Sequence, residues 1–158
     1  MKKFICAVMI ATLAFGCKSK SPTETKTDWK SAKNINGNFT LTKVTNPGSD
    51  YIKINSFDLA DSHCFEGSSW KFVSNNNKGN MSLASGSNCP SFSSDITWYL
   101  NKNGQFVLKI LNAGEKAKKV RDGYVLDVAN LTSTSFELID MVDVAGKKSN
   151  VTYHFEKN

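Results

Sequence analysis

The chain has 158 residues, 40% hydrophobic and 22% charged, with a formal net charge of +6 and four cysteines. That length suits one folded domain rather than two. The positive balance sits near the start, where Lys2 and Lys3 precede an apolar run and Lys18, Lys20, Lys26, Lys30 and Lys33 stand against Glu24 and Asp28. Residues 34–158 carry thirteen Lys and Arg against twelve Asp and Glu, a net +1, so nothing points to nucleic acid, which needs a concentrated basic face.

Met1-Lys2-Lys3 is a short positive start, Phe4 to Phe15 is apolar apart from Thr12, and Gly16-Cys17 closes the stretch. This order predicts a secretory signal over residues 1–16. The apolar run is shorter than the roughly 20 residues of a spanning helix. Leu13-Ala14-Phe15-Gly16-Cys17 resembles the bacterial lipobox, which implies cleavage before Cys17 and lipidation of its thiol. Lys18 follows in place of the Asp that retains such proteins in the inner membrane, so the resemblance implies an outer-membrane lipoprotein. Each buried methylene contributes about 0.8 kcal/mol, and stable anchoring takes two chains, which a diacylated cysteine supplies. Residues 17–33 are then the lipidated cysteine and a polar, Ser-, Thr- and Lys-rich tether. As a random coil that tether reaches about 20–24 Å. Trp29 is its odd residue.

Cys6 leaves with the signal and Cys17 carries lipid, so Cys64 and Cys89 remain as an even pair in an oxidising compartment. They are expected to form a disulfide, contributing about 3.5 kcal/mol for a loop of about 25 residues.

From Asn34 the pattern turns to short apolar alternations. Phe39 and Leu41 alternate with Thr40 and Thr42; Trp70 and Phe72 flank Lys71; Ile96, Trp98 and Leu100 alternate with Thr97 and Tyr99. Asn101-Lys102-Asn103-Gly104 predicts a hairpin turn, because Asn-Gly tolerates positive φ. Gln105–Leu111, Tyr124–Val128, Phe136–Leu138 and Val151–Phe155 read as further strands, with weaker ones at Tyr51–Phe57 and Gly79–Leu83. Ala113–Val120 is the best helical candidate. About eight antiparallel strands predict an all-β sandwich or barrel over residues 34–158. An eight-stranded barrel is filled by side chains or holds one small ligand.

The run of Gly37-Asn38-Phe39, Pro47-Gly48-Ser49-Asp50-Tyr51-Ile52, Cys64 before Trp70-Lys71-Phe72, Cys89-Pro90 and Asn103-Gly104 resembles the lipocalin-like lipoproteins of Gram-negative bacteria. Phe39 stands where the lipocalin signature has Trp. The resemblance implies an eight-stranded up-and-down barrel able to hold an apolar molecule.

Chemistry-bearing motifs are sparse. His63 and His154 lie in no nucleophile motif, and neither a Gly-x-Ser-x-Gly elbow nor a phosphate-cradling loop occurs. Asp58, Asp61 and Glu66 read as a solvated acidic loop, and Lys116, Lys118, Lys119 and Arg121 as a solvated basic one. The aromatic set is richer. Phe39, Trp70, Phe72, Trp98, Phe106, Tyr124, Phe136 and Tyr153, with Phe155, fall on inward faces, where they line a pocket or fill the core. The first expectation is a monomeric, non-enzymatic, membrane-anchored lipoprotein that binds a small apolar ligand, without cofactor or metal. The alternative is a filled barrel that binds a protein or envelope glycan through its loops, as lysozyme inhibitors do. A hydrolase or isomerase would require titratable groups converging inside the barrel. The anchor is tested directly: Cys17→Ala should move the protein from the membrane fraction to the soluble one, and retention on membranes would contradict the lipobox.

Overall fold

Strand alternation puts every second side chain on one face, and here that face closes on itself. The computed structural model describes residues 29–46, 52–111 and 123–158. Eight strands form a closed antiparallel barrel: β1 (Gly37–Thr45), β4 (Ser69–Val73), β5 (Lys78–Leu83), β6 (Phe92–Leu100), β7 (Phe106–Leu111), β8 (Tyr124–Ala129), β9 (Ser135–Val144) and β10 (Lys147–Lys157). Each pairs with its neighbour in sequence, and β1 completes the circle by pairing with both β10 and β4. This is the up-and-down order expected from the sequence. Between β1 and β4 lies a separate two-residue hairpin, β2 (Asn55–Ser56) with β3 (Ala60–Asp61), followed by a 3-10 helix at Ser62–Phe65.

One expectation is corrected. The weak strand at Tyr51–Phe57 is not a barrel strand: among its described residues, 52–57, the strand is Asn55–Ser56 alone, and it pairs with β3 outside the barrel sheet. Its apolar residues are buried instead as part of a turn, with Ile54 and Phe57 in the core. A 3-10 helix spans Trp29–Asn34, across the boundary drawn between tether and domain, and leads directly into the fully buried Ile35. The helical candidate at Ala113–Val120, the basic run from Lys116 to Arg121 and Cys17 lie outside the described residues.

The strand ends sort into two groups. The β4–β5, β6–β7 and β8–β9 turns share one end with the start of β1 and the finish of β10. The β1–β4 connection, the β5–β6 loop and the β9–β10 turn share the other. At the first end the predicted Asn-Gly turn forms. Asn101 Oδ1 accepts from the backbone N–H groups of Asn103 and Gln105, and Gly104 takes φ +79°. At the second end β1 leaves β4 after Thr40, and the loop takes over its edge. Leu41 N–H donates to Ser68 O, Gly67 N–H donates to Leu41 O, and Val44 N–H donates to the Glu66 carboxylate. No edge amide of β1 is lost there, as buried backbone requires.

The core at the first end is built around one ring. Phe72 makes edge contacts with Phe39, Trp98, Phe106, Phe136 and Phe155, at centroid distances of 5.6–6.0 Å, and stacks on Trp70 at 5.9 Å. Those partners come from β1, β6, β7, β9 and β10, so Phe72 reaches the barrel axis. Its cross-strand partner on β5 is Gly79. A Cβ at Gly79 would overlap the Lys71 carbonyl oxygen and press on Ile96. Both indoles are satisfied: Trp98 Nε1–H donates to Lys78 O at 3.1 Å, and Trp70 Nε1–H donates to Ser68 Oγ at 2.7 Å.

The expected disulfide is present. Cys64 in the second 3-10 helix bonds to Cys89, with Cα atoms 5.4 Å apart and a sequence separation of 25. It ties the β1–β4 connection to the β5–β6 loop. Replacing both cysteines by Ala should lower unfolding stability by about 3 kcal/mol in urea titration, and the native protein should show no free thiol at these positions. Gly79→Ala should cost about 1–3 kcal/mol by overpacking, and an unchanged urea midpoint would contradict the close approach of Gly79 to the Lys71 carbonyl.

Candidate functional site

The inner wall changes character along the barrel axis. At the end sealed by Phe72, the inward residues Phe39, Phe106, Phe136 and Phe155 are at most 2% exposed. Toward the other end the same alternation places Ile110 on β7, Tyr124 on β8 and Asp140, Val142 and Val144 on β9 inward, yet all five are only half-buried. Toward that second end, the mouth of the barrel, the wall is thus half-buried along β7, β8 and β9, while Val44, Leu83, Ile96 and Val151 on β1, β5, β6 and β10 are fully buried. Of the inward aromatics read from the sequence, Phe39, Trp70, Phe72, Trp98, Phe106 and Phe136 belong to the sealed end. Tyr124 and Tyr153 belong to the mouth.

What stands in the mouth is the β2–β3 hairpin. Its turn runs from Ser56 to Leu59, closed by Leu59 N–H donating to Ser56 O at 3.0 Å. Phe57 and Asp58, the central residues, both take φ +52°. Glycine or Asn suits such positions; non-glycine residues held there cost about 1–3 kcal/mol each. The packing of Phe57 offsets this. Its ring lies 5.1 Å from Tyr124, 5.2 Å from Phe65 and 5.2 Å from Tyr153. Two phenols latch the hairpin from the barrel wall. Tyr153 O–H donates to Ser56 Oγ at 2.7 Å, and Tyr124 O–H donates to Asp58 Oδ2 at 3.1 Å. Phe57 carried no alternation signal and sequence reasoning missed it. Asp140 was missed too, because a lone acid in a strand reads as an outward residue.

Asp140 lies between Leu138 and Val142 on the inner face of β9, opposite Val151. Burial holds its carboxyl above the ordinary 3.8, partly offset by the Met141 backbone N–H. Tyr124 is pushed up to about 12, first by burial, then by its bond to Asp58 and the charges of Asp58 and Asp140. Burial raises Tyr153 as well, with Asp140 adding to the rise and the bond to Ser56 opposing it. The phenols thus stay protonated and act as donors. Between described residues, His63 pairs with Glu66 and His154 with Glu137, and neither pair involves Asp140.

The other singled-out groups have structural work. Asp61 caps the second 3-10 helix by accepting from His63 N–H at 3.0 Å, and Glu66 accepts from Val44 N–H. With Asp58 bound to Tyr124, the three acids of that loop serve different partners. His154 Nε2 meets Thr45 Oγ1 at 3.1 Å on the outer face. Ser62 Oγ and His63 Nε2 are buried without a hydrogen-bond partner among the described residues. No group of three or more His, Cys, Asp or Glu suited to a metal occurs among the described residues.

A family model described as a lipocalin-like domain matches residues 35–138. Among solved structures, the chain is similar to bovine odorant binding protein complexed with a selenium-containing odorant, at 14% identity, covering 80% of this chain and 72% of that one, with a TM-score of 0.44. A bovine odorant binding protein complexed with its natural ligand gives 13% identity, 79% and 72% coverage and the same TM-score of 0.44. No curated protein matches.

Two titration outcomes follow. Both phenols hold their protons more tightly in the folded than in the unfolded chain, so their stabilising contribution is fully present below about pH 10 and is lost as pH rises beyond it. Tyr153→Phe should reduce that alkaline loss, read from thermal midpoints between neutral and strongly basic pH. Asp140 is opposite in range: its folded carboxyl is the weaker acid, so its charge lowers stability once pH rises through the folded value. Asp140→Asn should therefore raise the thermal midpoint at neutral pH, and a lower midpoint would contradict its placement in the wall.

Proposed function

From its membership of the lipocalin-like domain family, which the match over residues 35–138 establishes, we propose that this protein is a non-enzymatic lipoprotein, anchored by Cys17, that binds a small apolar ligand in the mouth of its barrel. The observation that carries this reading is the half-buried stretch of inner wall at Ile110, Tyr124, Val142 and Val144, opposite an end filled by rings. Apolar walls with a few placed polar groups are what small-molecule sites require. Here those groups are the Tyr124 and Tyr153 hydroxyls and Asp140. Of the expected pocket residues, Tyr124 and Tyr153 would touch the ligand, while Phe39, Trp70, Phe72, Trp98, Phe106 and Phe136 form the floor. The signal at residues 1–16, the lipobox and the tether support export to the cell envelope and anchoring in the outer membrane.

A second reading has its own support. Tyr99 on β6 and Val125 on β8 lie exposed on the outer wall, on either side of Val107 on β7, which pairs with both, and Met141 on β9 is 58% exposed. An outer apolar row of this kind suits a protein partner, as in an envelope module that binds protein or glycan.

Native mass spectrometry of the full chain, before and after organic extraction, is the test. A bound mass released by extraction, or uptake of a neutral apolar probe with quenching of tryptophan emission, is the expected result. A clean apo mass with no uptake of any apolar probe would overturn ligand binding and leave the outer-wall reading.

A further inference from the structure

We propose that the buried hydroxyl of Ser62 is a polar contact for the barrel's ligand, and that this ligand is an apolar molecule carrying a neutral oxygen function, a hydroxyl or a carbonyl. This deepens the ligand-binding reading and rests on it.

Ser62 follows β3 at the start of the second 3-10 helix. Its N–H donates to Ile54 O at 2.8 Å, which extends the β2–β3 pairing by one step. Alternation along this hairpin puts Ile54, Ser56, Ala60 and Ser62 on one face. All four are at most 9% exposed, whereas Asn55 on the other face is exposed and Asp61 half-buried. The buried face is turned to the barrel wall, because Tyr153 O–H on β10 donates to Ser56 Oγ at 2.7 Å. Ser62 is the diagonal neighbour of Ser56 on that face, and such neighbours lie about 7–8 Å apart. Its hydroxyl is therefore carried on the same side as the phenol that lines the mouth.

The other buried serines are satisfied. Ser56 Oγ accepts from Tyr153, Ser68 Oγ accepts from Trp70 Nε1–H and donates to Phe65 O, and Ser94 Oγ donates to Leu111 O. Ser62 is 0% exposed, and its Oγ has no hydrogen-bond partner among the described residues. His63 Nε2, also without a partner, belongs to a ring that is 38% exposed and faces Glu66. A hydroxyl taken out of water and left unpaired costs free energy, so a group of this kind calls for a partner. The phenols at the mouth have each given their single proton, Tyr124 to Asp58 and Tyr153 to Ser56. Ser62 has both a proton and lone pairs uncommitted. It bears no charge, so its complement is a neutral oxygen: a carbonyl that accepts the proton, or a hydroxyl that accepts and donates at once. An analogue without that oxygen leaves the serine unpaired and is discriminated against.

The experiment compares two probes of one shape on the full chain, naphthylethanol and propylnaphthalene, followed by probe fluorescence. Ser62→Ala should weaken naphthylethanol about tenfold and leave propylnaphthalene within about twofold. The ligand-free variant should unfold at an equal or higher temperature, because Ala removes an unpaired hydroxyl. A lower midpoint with unchanged naphthylethanol affinity assigns the hydroxyl to a buried water alone and overturns the ligand contact. Should the variant fail to fold, the native protein decides: the carbonyl stretch of bound acetylnaphthalene should lie below its position in a hydrocarbon solvent, and an unshifted band overturns the proposal. Equal losses for both probes, or no loss for either, overturn the Ser62 contact while leaving the barrel as a binder. Absence of binding by both overturns the contact and the ligand-binding reading together.

Discussion

The position of the Phe72 ring on the barrel axis is the constraint from which the rest of the structure follows. A closed eight-stranded barrel leaves an interior that side chains must fill or a ligand must occupy. Phe72 faces Gly79 across the β4–β5 pair, where the absence of a Cβ lets β5 approach the Lys71 carbonyl and Ile96 closely. Rings from β1, β6, β7, β9 and β10 close around Phe72 at edge-to-face distances.

The mouth is organised on a different principle. Its hairpin adds little sheet and instead wedges one aromatic residue between wall rings. The turn accepts an unfavourable backbone at Phe57 and Asp58, and the packing of Phe57 with two phenolic hydrogen bonds offsets that cost. The Cys64–Cys89 bond fixes the rear of the same segment to the β5–β6 loop. The hairpin is thus tethered behind its tip while the tip is held only by side chains. Segments of that kind belong to the low-stability part of a fold, where ligand-gated motion is found.

Electrostatics and packing pull against each other at Asp140. Its burial raises the carboxyl and its charge lowers folding stability at neutral pH, whereas a Leu of similar size would extend the apolar wall. Groups that break local packing logic mark functional positions more often than structural ones. The phenols at the same mouth keep their protons and spend them on the hairpin, at Ser56 and Asp58.

Much of the fold was legible in the sequence. Period-2 alternation with the Asn103-Gly104 turn determined most of the barrel strands, because a half-buried strand must alternate whatever it packs against. The inward aromatics and the even pair Cys64 and Cys89 were readable for the same reason: each depends on local spacing or on counting. The misread stretch at Tyr51–Phe57 shows the limit. Apolar residues there are buried by a turn docking on distant strands, and nothing within that window distinguishes this from a strand. Only the tertiary structure decided which rings seal the floor and which line the mouth, because that depends on where Phe72 meets β7 and β9 across the barrel. It alone decided that Phe57 enters the mouth and that Asp140 faces inward beside Tyr153. Both are contacts between residues far apart in the chain, made by closing the sheet, and closure is a property of the whole barrel rather than of any one strand.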